Sequence, residues 1–268
     1  MPVALPHHAT LADSLDRLRR DPASRLVARI GVERDGRVTA PHVHPEGQLF
    51  GAIRGVLTVG TDAGIWVLPA SHAIWVPPWQ RHALRSHGAF EGHSVYVSEQ
   101  ACSALPRESC AIRFTPLLRE AIARAASWSD ETPSPARHRI VDLIFDEIRE
   151  TPDEPIGLPL PRDARLQRVA RALLDDLSDQ RDLAAWAQFG ALSARTLTRR
   201  FFVETGFTFA EWRQRARLMR AVEMLAAGDA VTNVALSLGY DNVSAFIAMF
   251  RRAHGVTPAR FLQGRESL

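Results

Sequence analysis

The sequence predicts a two-domain α+β chain. A small antiparallel β-barrel with helices after it is followed by an all-α domain carrying two helix-turn-helix motifs. Three observations carry that prediction. Residues 37–84 hold short runs rich in Val, Ile, Leu and Trp, cut by Pro45-Glu46-Gly47, Asp62-Ala63-Gly64 and Pro77-Pro78, the texture of strands joined by turns. Residues 209–228 place Phe209, Trp212, Ala216, Met219, Val222 and Leu225 three or four apart, one face of a long helix. On each side of that helix, at residues 182–206 and 229–255, two short helical patterns meet at a glycine-containing turn, as a helix-turn-helix requires. At 268 residues the chain is long enough for each domain to bury its own core.

In chain order, residues 1–20 include DSLDRLRR, a short surface helix or arm. Strands follow as far as residues 90–98, FEGHSVYVS, where apolar and polar residues alternate again. Residues 114–128 and 138–150 then read as amphipathic helices, with Leu117, Leu118, Ile122 and Ala125 on the first and Ile144, Phe145 and Ile148 on the second. Their apolar faces serve either to pack on the barrel or to pair two copies of the chain. Residues 151–162, TPDEPIGLPLPR, hold four prolines and read as a linker. A helix over 165–176 opens the second domain. The division is therefore a first domain over 1–150, a linker over 151–162 and a second domain over 163–268.

Within the second domain, Ser193 caps one helix after the turn Gly190-Ala191-Leu192, and Asn242 stands in the corresponding place 49 positions later. The intervening helix of about 20 residues spans roughly 30 Å, close to the ~34 Å of one DNA turn. Two readers in successive grooves of one DNA face fit that spacing. Residues 166–261 resemble the DNA-binding domain of the AraC/XylS family of bacterial transcription regulators. The motifs are SARTLTRRF (193–201), ETG (204–206), WRQRARLMRA (212–221), VALSLGYDNVSAFIAMFRR (234–252) and GVTP (255–258). One departure is Ala191, where the family usually has glycine. The resemblance implies base-reading positions at Ala194, Arg195, Thr198 and Arg199 in the first module and Asn242, Ser244, Ala245 and Met249 in the second. An arginine suits guanine, and Asn242 suits either adenine or a helix cap. Arg200, Arg251 and Arg252 are the candidates for phosphate contacts.

In the first domain, His42 and His44 are two apart on an extended segment and so share a face, Gln48 follows, and His82 comes after a Pro-rich turn. This is similar to the cupin pattern, with Gln48 in place of the usual glutamate. HVHPEGQLFGAIRGVLTV and WVLPASHAIWVPPWQRH further resemble the cupin-like sensor half of an AraC subgroup that includes nitroimidazole-resistance regulators. The expected effector pocket is His42, His44, Gln48, His82, Phe50 and Trp75, polar groups among aromatic walls. No cofactor is required by this reading; His42, His44 and His82 are also the set that a divalent metal would use.

All 33 basic residues are arginines. Residues 161–268 hold 16 of them against 11 acidic residues, or +5, while residues 1–160 come to −2, so the basic half is the one expected on a polyanion. Cys102 and Cys110 read as reduced thiols, and no apolar run reaches membrane-spanning length. The functional expectation is a cytoplasmic, ligand-responsive regulator without catalytic residues. Its partners would be double-stranded operator DNA, a small-molecule effector, a second copy of itself and, for an activator, RNA polymerase. A ligand-independent repressor and a metal-dependent cupin enzyme are the alternatives.

Overall fold

The computed structural model describes residues 11–128, 134–150 and 157–263; residues 1–10, the break at 129–133 and half of the expected linker, 151–156, lie outside it. After helix α1 (Leu11–Arg20) come strands β1 (Leu26–Glu33), β2 (Val38–His42), β3 (Gly47–Thr61), β4 (Gly64–Leu68), β5 (His72–Val76), β6 (His82–Val97) and β7 (Cys110–Arg113). Helices α2 (Pro116–Ala126) and α3 (Pro135–Glu150) and the short strand β8 (Leu158–Pro159) complete the first half.

Two long strands, β3 and β6, form the spine, antiparallel from Gly47 opposite Val97 to Thr61 opposite His82. Each holds two further strands along its outer edge. β5 and then β4 lie along β3, and β2 and then β1 lie along β6. The ladder is bulged between Ala52 and Val56, a device that raises local twist. Gly55 sits in that bulge with φ 83°, and a Cβ there would stand 2.5 Å from the Ala89 carbonyl oxygen, so glycine is required.

The expected cupin-like barrel is not what forms. A barrel needs its strand pairings to close a ring. Here, among the described residues, β1 and β2 pair only with β6, β7 only with β5 and β8 only with β4. The pairings branch and never return, so this is an open eight-stranded sheet. Helices do the covering instead. Thr115 caps α2, accepting from the Leu118 N–H at 3.0 Å, and Pro116 fits its first turn. Leu118, Ala121, Ile122 and Ala125 then pack with Val141, Ile144, Phe145 and Ile148 of α3 against Trp75, Val95 and Val97. These helix faces are thus buried within the chain, and Leu117 stays 52 % exposed.

The second half is helical: α4 (Ala164–Asp175), α5 (Leu183–Phe189), α6 (Ala194–Thr205), α7 (Phe209–Ala227), α8 (Val231–Ser237), α9 (Val243–His254) and α10 (Pro258–Gln263). A capping box between Thr208 and Glu211 starts α7, and Gly228 at φ 97° stops it. The Phe201 ring meets Phe209 and Trp212 edge-on at 5.3 and 5.4 Å, which joins the first motif to α7. Phe246 and Phe250 bury the second motif in the same core.

That core does not stop at the helices. It includes Val56, Val67 and Leu158 of the sheet. β8 pairs with β4, Ile65 opposite Leu158, while the Trp212 indole N–H donates to the Pro159 carbonyl at 2.7 Å and Arg215 Nε to Gly157 at 3.0 Å. From β3, the Thr58 hydroxyl donates to Glu223 of α7 at 2.7 Å, and its oxygen lies 2.9 Å from His87 Nε2. Arginines of α7 therefore serve packing: besides Arg215, Arg217 Nε donates to the Leu177 carbonyl at 3.0 Å.

Candidate DNA-binding face and sensor cavity

The two motifs are built alike down to their turns. After α5, the Ala191 N–H bonds the Gln188 carbonyl and the Leu192 N–H that of Ala187. After α8, Gly239 bonds Leu236 and Tyr240 bonds Ala235 in the same pattern. Ala191 has φ 54° and Gly239 φ 75°, so both turns need the left-handed conformation and one of them obtains it from alanine. The turn is not displaced by the missing glycine; Ala191 carries the strain.

Each second helix begins with a side-chain cap. Ser193 Oγ accepts from the Thr196 N–H at 3.1 Å, and Asn242 Oδ1 from the Ala245 N–H at 2.8 Å. Beyond the caps, Ala194, Arg195, Thr198 and Arg199 are exposed on α6, as are Asn242, Ser244 and Ala245 at the start of α9; Met249 is half-buried against the core. Thr198 Oγ1 bonds back to the Ala194 carbonyl at 3.0 Å. Arg251 and Arg252 are exposed at the far end of α9. Arg200 differs, because it holds Asp163 at 2.5 Å and Glu204 at 2.9 Å. Asp163 is the cap of α4, and hydrogen bonds from Arg165 chiefly hold its carboxyl far below the usual carboxylate range.

In the sheet half, a cavity of about 250 Å³ lies beside β1, β3 and β6 under Leu11 of α1. Of the six expected pocket residues, His42, Gln48 and Phe50 line it. His44 and His82 stand behind Gln48, at 3.0 and 3.2 Å from its Oε1. Trp75 points away: it is fully buried in the α2–α3 core, its indole N–H bonded to the Pro106 carbonyl at 2.8 Å. Arg29, Ser94 and Tyr96 also line the cavity and were not anticipated. Their signal was the strand alternation, since Ser94 and Tyr96 occupy the phase opposite to Val95 and Val97.

The three histidines do come together. His42 pairs with His82 across β2 and β6, and the ring centroids are 4.3 Å apart for His42 and His82, 5.0 Å for His44 and His82, and 5.5 Å for His42 and His44. One ligand atom from each lies within 4.8 Å of the others, so the set is able to hold a metal ion. Burial pushes the His82 imidazole down to about 4. Glu46, the carboxylate nearby, is buried and taken by Arg19 at 2.6 Å.

Comparison with known proteins agrees with both halves. Residues 26–197 match the AraC-like ligand binding domain model and residues 186–264 the helix-turn-helix domain model. The chain is 31 % identical over 227 residues to the HTH-type transcriptional regulator NimR of Escherichia coli strain K12, covering 84 % of this chain and 83 % of that one. It is 37 % identical over 138 residues to the HTH-type transcriptional regulator RipA of Corynebacterium glutamicum, covering 52 % and 39 %. Among solved structures, ToxT of Vibrio cholerae strain SCE256 bound to an unsaturated fatty acid aligns over 89 % of this chain and 95 % of its own, at 12 % identity and a TM-score of 0.39. No helix among the described residues is long and apolar enough to cross a membrane. Two turns of the same build, two capped helices with exposed faces and a family match over more than half of the sequence lead to one assignment: the chain belongs to the AraC/XylS family of helix-turn-helix transcriptional regulators.

Proposed function

We propose that this ligand-responsive transcription regulator binds its operator as a homodimer, reading DNA with α6 and α9 and receiving a small-molecule effector in the cavity beside β1, β3 and β6. It works by binding, not by catalysis. The observation that carries the reading is the pair of equivalent motifs held at fixed spacing by α7, each presenting an exposed, capped helix. Residues 163–268 are the reading part in this proposal, residues 1–150 the sensing and dimerising part, and 151–162 the connection. RNA polymerase is the further partner if the regulator activates.

Arg195, Thr198 and Arg199 on α6 and Asn242, Ser244 and Ala245 on α9 are the proposed base-facing side, with Ala194 and Met249 beside them. Asn242 already spends its side-chain oxygen on the helix cap, which leaves its amide N–H₂ for a base. Arg251 and Arg252 are free in position to meet phosphates; Arg200 would have to give up Asp163 and Glu204 to do so. His42, Gln48 and Phe50 from the cavity wall, with His44 and His82 supporting Gln48, are the proposed effector contacts.

Genome-wide mapping of bound DNA supplies the operator, and titration of that operator against scrambled DNA then separates the roles. Arg195→Ala should weaken operator binding by about 1–3 kcal/mol and relax one base position, whereas Arg252→Ala should weaken both DNAs alike and lower the salt dependence. Equal losses on both DNAs for Arg195→Ala would remove it from the base-reading set.

A further inference from the structure

The sheet ends on an open edge. β1 pairs with β6 from Leu26 to Glu33, and among the described residues no other strand pairs with it. An edge strand presents its outer N–H and C=O groups to any strand that arrives, and native edges are commonly blunted by lysine, proline or a bulge. β1 has no lysine or proline, and its register with β6 is unbroken. The outer part of the strand reads Arg29-Ile30-Gly31-Val32-Glu33. Ile30 is 46 % and Val32 68 % exposed. Gly31 has no explanation inside one chain, because a Cβ there would meet nothing within 4 Å, and glycine weakens a strand interior. The apolar faces of α2 and α3, the other surfaces suited to pairing two copies, are buried against the sheet.

We propose that two copies of the chain join edge to edge through β1, antiparallel about a two-fold axis at Gly31, so that the sheet runs on from one copy into the other. The inference rests on the homodimer reading and names its interface. The five-residue string is complementary to its own reverse. An axis at Gly31 sets Arg29 opposite Glu33 of the second copy, Ile30 opposite Val32, and Gly31 opposite itself, each contact occurring twice as an isologous interface requires. Alternation keeps the two charged pairs on one face and the two apolar pairs on the other. The apolar pairs extend the face of Leu26 and Ala28, which α2 and α3 already cover. Neighbouring registers fit worse: an axis at Ile30 leaves Arg29 and Glu33 without opposite charges, and an axis at Val32 sets Ile30 against Arg34. Glycine at the axis lets the long Arg29 and Glu33 side chains converge across it. Arg29 also donates to Ser14 Oγ, and Glu33 accepts from Arg37 at 2.9 Å. A guanidinium with five N–H donors and a carboxylate with two oxygens accommodate a further partner. Arg29, Gly31 and Glu33 line the cavity as well, so effector and second copy meet on one strand.

Sedimentation of the full-length chain without DNA tests this, with circular dichroism confirming that each variant folds. The wild type should dimerise with a micromolar Kd, in keeping with so small an interface. Val32→Asp, at an exposed position, and Glu33→Arg, which opposes arginine to arginine twice, should each weaken association at least roughly tenfold. Arg29→Glu should do the same by opposing acid to acid. An equimolar mixture of the Arg29→Glu and Glu33→Arg proteins should then recover a dimer of wild-type strength, since one copy presents two acids and the other two arginines. Residues that merely support folding would give no recovery on mixing, and that result overturns the proposal. Wild-type dimerisation untouched by all three changes overturns the interface and leaves the homodimer reading standing on another surface. A wild type still monomeric at about 100 µM overturns the interface too, and gives the edge to a strand of another protein. In that case the copy number on operator DNA decides the homodimer reading separately: two copies keep it, and one ends it.

Discussion

His93 is buried with neither ring nitrogen hydrogen-bonded among the described residues. It lies edge-on to Phe114 at 5.4 Å, and the Arg119 guanidinium stands over the Phe114 ring, 4.8 Å from its centroid. Burial, helped by the Arg119 charge, pushes its imidazole down to about 4. An unfolded histidine titrates near 6.5, so as pH falls through 6.5 the unfolded chain gains a proton that the folded chain refuses until about 4. Stability is therefore full above about 6.5 and declines toward 4, by about 3 kcal/mol for this residue. His93→Leu should flatten that decline and cost little at neutral pH, because it removes an unsatisfied polar group. Urea melts of both proteins across this range check it; an unchanged pH slope would contradict the assignment. At this scale the sequence was partly legible. His42 and His44 could be paired from spacing, and His82 joined them through the resemblance to the cupin pattern. Alternation sets Ser94 and Tyr96 on the face opposite Val95 and Val97, but that this face lines the cavity with Arg29, and that Trp75 lies outside it, depends on which strands pair and in what register.

At the scale of single elements, Ala191 is the informative position. A non-glycine residue in the left-handed region costs about 1 kcal/mol or more, and the matching turn after α8 avoids that cost with Gly239. Ala191→Gly should raise stability by about 1 kcal/mol in denaturant melts without changing operator affinity. A loss of stability would mean that the methyl group contributes packing that outweighs the strain. The helices of the second half were readable because caps, periodicity and stop glycines are local signals: Ser193, Thr208, Gly228 and Asn242 all stand where the structure uses them. Alternation likewise revealed strands and their buried faces. Whether the outer strands meet is a non-local fact with no local signature, which is why an open sheet was read as a barrel. The packing roles of Arg215 and Arg217 on α7 have no local signature either, since their partners at Gly157 and Leu177 lie far away in sequence.

For the whole molecule, the joining segment is more than a tether. Leu158 is 1 % exposed in the helical core, and Pro159 accepts the Trp212 N–H. A C-terminal fragment starting at 157 should therefore be more stable than one starting at 163 by about 3–5 kcal/mol, from one buried leucine and one unsatisfied indole. Thermal melts of the two fragments decide; equal Tm values would mean that the reading half folds without its neighbour. The same wiring bears on how a signal would travel. Gln48 and Phe50 of β3 wall the cavity, and ten residues further along that strand Thr58 grips Glu223 on the helix that spaces the two readers. Leu57 lines the same cavity, so cavity and spacer helix meet at neighbouring residues of one strand. An effector that shifted Leu57 would act directly on the Thr58 contact to Glu223. The covalent thread between the halves need carry none of it, and the separation of the readers on DNA becomes the quantity an effector would tune.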